Sequence, residues 1–389
     1  MKRILRVLAL LLIAALLGGC GAEGSQDPVR LFAVNVGKGD ALVLKAGDWV
    51  GLIDAGKPSA MGRVRAALRG LGVEKLNAVF LTHTDDDHAG GLDWLAQSDI
   101  PVDNWYAPAM YTGVKAKKHP MILAAALRGQ AVQWLQRGDA LALGSSGARL
   151  AVLAPASLFE DKDDNNSLVM MLESDQGKML LTGDMELPEE AELLGQGDDL
   201  RCAVLKVPNH GDDDTTSAEF AKAASARVAV ISTDSQEKPG TPDPGVVSRL
   251  EAAGSTVVVT QDSGMGLLVT LEDGEATVKP VDIEAPPVSG PYIADVDPDD
   301  DTIALGNSGS ATVDLSGFYL YSDKGNELYT LPEGTTLSPG ATLTVGTNST
   351  DGNYDLLWDD KKVVNKKKTD TFYLYDDYGR VVDSRDNGK

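Results

Sequence analysis

Cysteine is nearly absent from this chain, at two in 389 residues. Cys20 closes an apolar amino-terminal stretch, and Cys202 sits in RCAVLKV. With Cys20 committed to the terminus, Cys202 has no partner, and a disulfide within one chain is excluded. The run around Cys202 reads as a buried strand, so its thiol is expected in the core and not as a nucleophile or ligand. Positive charge is also short: 35 Lys and Arg against 58 Asp and Glu give a net charge of −23. That balance favours solubility and removes any general electrostatic attraction to nucleic acid. After residue 20 no apolar run is long enough to cross a bilayer, so an uptake channel is not expected. Histidine is scarce too, at four in all, so the place where it gathers is informative.

It gathers in LNAVFLTHTDDDHAGGL, Leu76 to Leu92. An apolar run ends there in His83, Asp85, Asp87 and His88, and two glycines follow before a helical pattern begins. Clustered carboxylates repel one another unless something positive sits among them, which points to a bound cation. His210, in LKVPNHG, again lies just after an apolar strand-like run. Histidine and carboxylate clustered at strand ends is the usual make-up of a metal site. His119, in KAKKHP among three lysines, is expected at the surface and not as a ligand.

Hydrophobic residues make up 43% of the chain, enough for a substantial core. Residues 1–20 read as a targeting segment: Lys2, Arg3 and Arg6 precede the apolar Val7 to Leu17, too short to span a bilayer comfortably. The ending Leu17-Gly18-Gly19-Cys20 looks like a bacterial lipobox. Cys20 would then carry lipid, residues 21–28 would be a flexible tether, and the protein would be exported and anchored to a membrane.

Strands are expected at 29–36, 41–46 and 49–53, a helix at 59–71, a strand at 77–82 and a helix from about His88. Short strands and a helix near 114–128 follow. Strands at 148–154, 167–174 and 178–182 start a second β half, with Asp175-Gln176-Gly177 as a hairpin turn. Strands at 202–207, 227–232 and 255–260 and a helix at 244–253 complete it. The prolines of 282–291 mark a linker. Residues 292–386 change to short alternating runs between turn residues, the pattern of an all-β sandwich. Lys361, Lys362 and Lys366 to Lys368 there read as a solvated loop, with contact to an anionic polymer or membrane the alternative.

HTDDDH resembles the H-x-[HD]-x-D-H signature of the metallo-β-lactamase fold, in the form found in its ComEC/Rec2 competence-protein branch. VNVGKGDALVL (34–44), LIDAG (52–56), DNNSLVMML (164–172), LLTGD (180–184), LKVPNHG (205–211) and VAVIST (228–233) are similar to further motifs of that family, in family order. The resemblance covers residues 29–281 and implies an α/β fold, the αββα sandwich. IALGNSGSATVDLSGFYLYSDKGN and the run after it resemble the lamin-tail domain, a small immunoglobulin-like module.

The resemblance implies two divalent ions, Mn²⁺ or Zn²⁺. His83 and Asp85 would hold one, Asp87, His88 and His210 the other, and Asp184 would bridge them. Asp54 and Asn166 would support the ligands from behind. Asp87 and Asp184 are the expected catalytic carboxylates. Asp85 in place of a commoner histidine shifts preference from Zn²⁺ toward Mn²⁺. Asn165, Asn166 and Ser167 stand where many relatives carry a further ligand histidine. Asn209 replaces the first histidine of His-His-Gly, Gly240-Thr241-Pro242-Asp243 stands in place of a Gly-His-Pro segment, and Asp212, Asp213 and Asp214 crowd the expected mouth of the site.

The implied activity is metal-dependent hydrolysis of a phosphodiester, with extracellular DNA the leading substrate. A phosphocholine or cell-wall phosphoester is the alternative within enzymes, and a surface binding protein with a structural metal the alternative outside them. The lamin-tail-like domain would contact a protein, nucleic acid or envelope component.

Overall fold

The computed structural model describes residues 27–109, 119–159, 163–348, 354–360 and 362–388. The targeting segment, Cys20, most of the tether and Lys361 lie outside the described residues. Two compact units are present: residues up to Lys57 with Ala67–Ile283, and Pro58–Ala66 with Glu284–Lys389.

The first unit is built on two sheets. In one, the order is Glu275–Val281, Gly266–Glu272, Val29–Val34, Leu42–Ala46, Trp49–Ile53, Ala78–Phe80, Trp105–Pro108 and Val132–Leu135. The other runs Thr256–Val259, Val228–Ile231, Val204–Lys206, Gly177–Leu181, Val169–Ser174, Arg149–Ala154 and Ala140–Ala142. Each sheet is antiparallel in one half and parallel in the other. The parallel halves follow from helices used as crossovers.

The inward faces carry Leu31, Leu44, Phe80, Leu150, Met170, Leu172, Val204 and Val269, which form one continuous core between the sheets. A second core packs Leu193, Phe220 and Leu250 against Leu180, Leu205 and Ile231 of the second sheet. Those three come from helices Leu187–Gly195, Ala218–Ala224 and Pro244–Ala252. Strands buried on both faces explain why VFL and VAVI read as unbroken apolar runs. This is the expected layered α/β sandwich.

Cys202 is 8% exposed, its thiol reaches Ala224 O at 3.7 Å, and burial pushes its pKa up to about 12. Asp175 and Gln176 alone form the hairpin turn, because Gly177 already pairs with Ser174. His119 is a correction. It is 3% exposed, stands at the start of helix Pro120–Leu127 and meets Trp134 edge to face at 5.5 Å. Its lysine neighbours say nothing about its own imidazole, which is buried and held down to a pKa of about 4.

The second unit is a β-sandwich. One sheet joins Pro291–Asp297, Thr302–Asn307, Thr342–Thr347 and Leu356–Trp358; the other joins Glu327–Thr330, Tyr319–Ser322, Thr371–Tyr375 and Val381–Asp386. Ile303, Leu305, Leu320, Val345, Trp358, Phe372 and Leu374 form its core. Buried Asp301 accepts from the Val363 and Val364 amides and the Thr347 hydroxyl, fixing the loop before the lysines. Lys362 and Lys366 to Lys368 are exposed, and Lys366 donates to Asp299 O at 2.9 Å. Pro291, at the end of the expected linker, already belongs to a paired strand. Among the described residues no helix is long and apolar enough to cross a membrane.

Candidate metal centre

Strand ends of both sheets meet at one place. Strand Ala78–Phe80 runs into Leu81, Thr82 and His83, and strand Trp49–Ile53 ends at Asp54, whose φ of 58° turns its carboxylate back across the sheet. Asp54 is fully buried. It accepts from Thr82 N–H and hydroxyl at 2.8 Å each and lies 2.8 Å from His88 Nδ1. An ionised carboxylate can only accept, so His88 Nδ1 carries the hydrogen and Nε2 presents its lone pair.

His210 is fixed by the same logic from the other sheet. Its Nδ1 lies 2.8 Å from the Ser232 carbonyl oxygen, so Nδ1 donates and Nε2 again carries a lone pair. Asn209 and His210 both have left-handed backbone, φ 40° and 53°, a costly arrangement that turns the imidazole inward.

The two Nε2 atoms face each other at 3.3 Å. Asp184 straddles them, Oδ1 at 3.2 Å from His88 Nε2 and Oδ2 at 2.9 Å from His210 Nε2. Two lone pairs and a carboxylate cannot share a buried space without a positive charge among them. Four donors about 2.0–2.1 Å from a central ion form a tetrahedron with edges of about 3.3 Å, so the observed separations fit such an ion. Asp184 Oδ1, Asp40 Oδ1 and His83 Nε2 are buried without a hydrogen-bond partner, which agrees.

With no cation between them, the same carboxylates favour protons on the two rings instead. Burial would depress His88 and His210, but the negative charge of Asp184, with Asp54 for His88, raises both; His88 ends well above its ordinary value. Burial would raise Asp184, but His210 and His88 pull it well below the usual carboxylate range. The pocket draws in positive charge.

Asp40, His88, Asp184 and His210 each bring one donor atom within 4.8 Å of the others, and all four are buried. His83, Asp85 and Asp164 form a second group by the same measure. His83 is held down by burial and by the charge of His88, while burial, with Asp87 and Asp163 nearby, raises Asp85. Gly183, φ 53°, permits the close approach of the loops: a Cβ there would lie 2.9 Å from Ser167 Oγ and from Thr82 Cβ.

Asp87 stands at the rim of the first group. Its carboxylate is 3.4 Å from His210 Nε2 and is ion-paired with Lys38, a residue also raised by Asp184 and Asp40 against its burial. Asn166 exchanges two hydrogen bonds of 2.9 Å with the Phe159 backbone. Asp212 pairs with Lys238 at 3.2 Å and Asp214 accepts from Asn209 at 3.3 Å, so only Asp213 of the acidic trio is fully exposed.

Sequence reasoning missed Asp40, Asp164 and Lys38. Asp40 sits at a turn after Gly37-Lys38-Gly39 and pairs through Oδ2 with buried Lys206 at 2.8 Å. A buried lysine in LKVPNHG was the available signal, since it requires a carboxylate partner.

Residues 34–141 match the model of the metallo-beta-lactamase superfamily, and residues 284–389 that of the Lamin Tail Domain. The chain is 27% identical over 261 residues to ComE operon protein 3 of Bacillus subtilis, covering 62% of this chain and 32% of that protein. It is 26% identical over 264 residues to Competence protein ComA of Neisseria gonorrhoeae, covering 67% and 35%. The chain thus spans about a third of the length of these curated relatives. Among solved structures, the metallo-beta-lactamase fold protein YhfI from Bacillus subtilis superposes with a TM-score of 0.42 at 15% identity, over 62% of this chain and 99% of that one.

Proposed function

From a chain that joins a metallo-β-lactamase domain related to competence proteins to a lamin tail domain, we propose a metal-dependent hydrolase of phosphodiesters, with DNA as the leading substrate. The observation that carries it is the pair of opposed imidazole lone pairs spanned by Asp184.

His88, His210, Asp184 and Asp40 would hold one divalent cation, and His83 and Asp85 donors of a second, Mn²⁺ or Zn²⁺ in either case. Cations bound there supply hydroxide at neutral pH and charge to stabilise a phosphoryl oxygen. Asp54 and the Ser232 carbonyl keep the two imidazoles in the ligating tautomer. Lys38 offers an ammonium to an anionic substrate at the mouth of the centre, and Asp87 holds it in place. Lys238 offsets one carboxylate of the acidic trio, which eases the approach of a polyanion. In the same reading the protein is exported and anchored through lipid on Cys20, and the lamin tail domain contacts an envelope component, a protein or nucleic acid.

A phosphocholine or cell-wall phosphoester is the second reading, favoured by the exposed Asp213 three residues after His210. Turnover of single-stranded DNA and of bis-p-nitrophenyl phosphate separates them. Metal-dependent turnover of both, lost in Asp184→Asn, supports the nuclease. Turnover of the small ester alone favours the second reading. Stoichiometric metal with no turnover of either moves the protein to a binding role.

A further inference from the structure

Lys38 meets two carboxylates, one at its side chain and one at its backbone. Its ammonium pairs with Asp87 at the rim of the metal centre, and its amide donates to Glu237 Oε2 at 2.9 Å. The other oxygen of Glu237 pairs with the ammonium of Lys57. One carboxylate is thus held between a backbone N–H and a lysine, a pair of donors that suits any oxyanion.

The seat beneath that carboxylate is built for close approach. Gly37 has φ 80°, and a Cβ there would lie 2.5 Å from Glu237 Oε2 and 2.7 Å from Lys57 Nζ, so a side chain would push both charged groups off the amide. Phosphate-binding loops use glycine in the same way, to bring an oxyanion against a backbone N–H. The loop is held on both sides. Asn35 Oδ1 accepts from the Gly37 amide at 3.3 Å, and the Asp40 amide donates to the Asp87 carbonyl at 3.1 Å. Lys57 follows Gly56, whose amide donates to the Asp40 carbonyl at 2.8 Å. The donors are fixed before any ligand arrives.

Glu237 is the movable partner. It stands on the turn after strand Val228–Ile231, where Asp234 accepts from the amides of Gln236, Glu237 and Lys238. Its side chain is 41% exposed, against 25% for Lys57, and exposed ion pairs contribute little to stability. A phosphodiester carries the same single charge as a carboxylate and offers a similar pair of oxygens, so it can take this seat when Glu237 leaves.

We propose that Lys57, the Lys38 amide and Gly37 form a subsite for a second phosphate of a DNA strand, next to the phosphodiester at the metal centre, and that Glu237 fills this subsite until the strand displaces it. The inference rests on the hydrolase reading above and narrows it to a polymer, since a lone phosphoester has no second phosphate to place there. The chain of bonds from the Lys38 amide to its ammonium is about as long as the sugar linker between successive phosphates of a strand. One lysine therefore spans from the subsite to the rim of the centre.

The test uses the full chain and a fluorescein-labelled single-stranded oligothymidylate, with binding read by fluorescence anisotropy in the presence of a chelator so that nothing is hydrolysed. Glu237→Ala vacates the subsite and should tighten binding about fivefold, the order that one near charge contributes through water at contact. Lys57→Gln should weaken binding by a similar factor and lower the slope of log K against log salt by about 0.7, the share of one phosphate contact on a single strand. Lys279→Gln removes an exposed lysine of strand Glu275–Val281 and controls for net charge; it should change neither quantity. Wild-type affinity in both Glu237→Ala and Lys57→Gln overturns the subsite, as does an equal loss in Lys57→Gln and Lys279→Gln. Weaker binding in Glu237→Ala, or none in wild type and Glu237→Ala alike, also overturns it. Anisotropy needs no turnover, so a chain that shows the expected shifts yet hydrolyses nothing with metal restored keeps the subsite and overturns the hydrolase reading alone.

Discussion

His88 and His210, 122 positions apart, hold their Nε2 atoms 3.3 Å from each other. Each ring is turned to that position by an acceptor behind it, Asp54 for one and the Ser232 carbonyl for the other. The fold thus spends two buried hydrogen bonds to aim two lone pairs at one point. Asp54 is the more informative of the two acceptors, because it is a side chain and can be altered.

In Asp54→Asn the carboxylate becomes an amide with one donor end. If that end faces His88 Nδ1, the imidazole must accept there and carry its hydrogen on Nε2, pointing into the centre. Cation affinity should fall roughly 10- to 100-fold, the usual cost of altering the partner of a ligating histidine. Isothermal titration of Zn²⁺ into the variant checks this, and wild-type affinity would show that Asp54 does not set the tautomer.

Lys38 now occupies Asp87. Lys38→Gln removes a positive charge from beside the cation positions and should tighten cation binding about tenfold, by the order of magnitude a near charge contributes at a half-buried site. The same change should raise KM for an anionic substrate more than it lowers kcat. A variant with weaker metal binding and unchanged KM would remove Lys38 from the mouth of the centre.

His119 gives a pH dependence apart from the metal centre. Its folded pKa of about 4 lies below the ordinary 6.5, so the unfolded chain binds the extra proton between those values. The stability this neutral imidazole preserves is present above pH 6.5 and lost as pH falls toward 4, by up to about 3 kcal/mol. Urea unfolding from pH 4 to 7 should therefore show a steeper loss in wild type than in His119→Phe. Parallel curves would place the imidazole in water.

Cys202 should resist alkylation in the folded protein. A thiol pushed up to about 12 is almost wholly protonated at neutral pH, and only the thiolate reacts. Mass spectrometry of the Cys202 peptide after iodoacetamide treatment should show modification in denaturant and almost none without it. Ready labelling of the native chain would contradict its place in the core.

Much of this was legible in the sequence. Largely apolar strands followed within a few residues by histidine or aspartate mark the strands that deliver ligands, and this holds for His83, Asp184 and His210. Asp164, at the head of DNNSLVMML, was not picked out as a donor because its place beside His83 depends on Asp163 accepting from the Thr84 amide and hydroxyl, a contact between distant segments. Asp40 looked like one turn residue among many, since its function depends on a lysine in another sheet. His119 was misread because neighbouring lysines report on their own side chains, whereas its burial depends on Trp134 and the helix it starts.

The central claim is that His88 and His210 share one cation with Asp184. Anomalous diffraction from crystals grown with Zn²⁺ tests it directly. A peak about 2 Å from both Nε2 atoms and from a carboxylate oxygen of Asp184 is the expected result. No peak there, with the two imidazoles rotated apart or bridged by a proton, would contradict it.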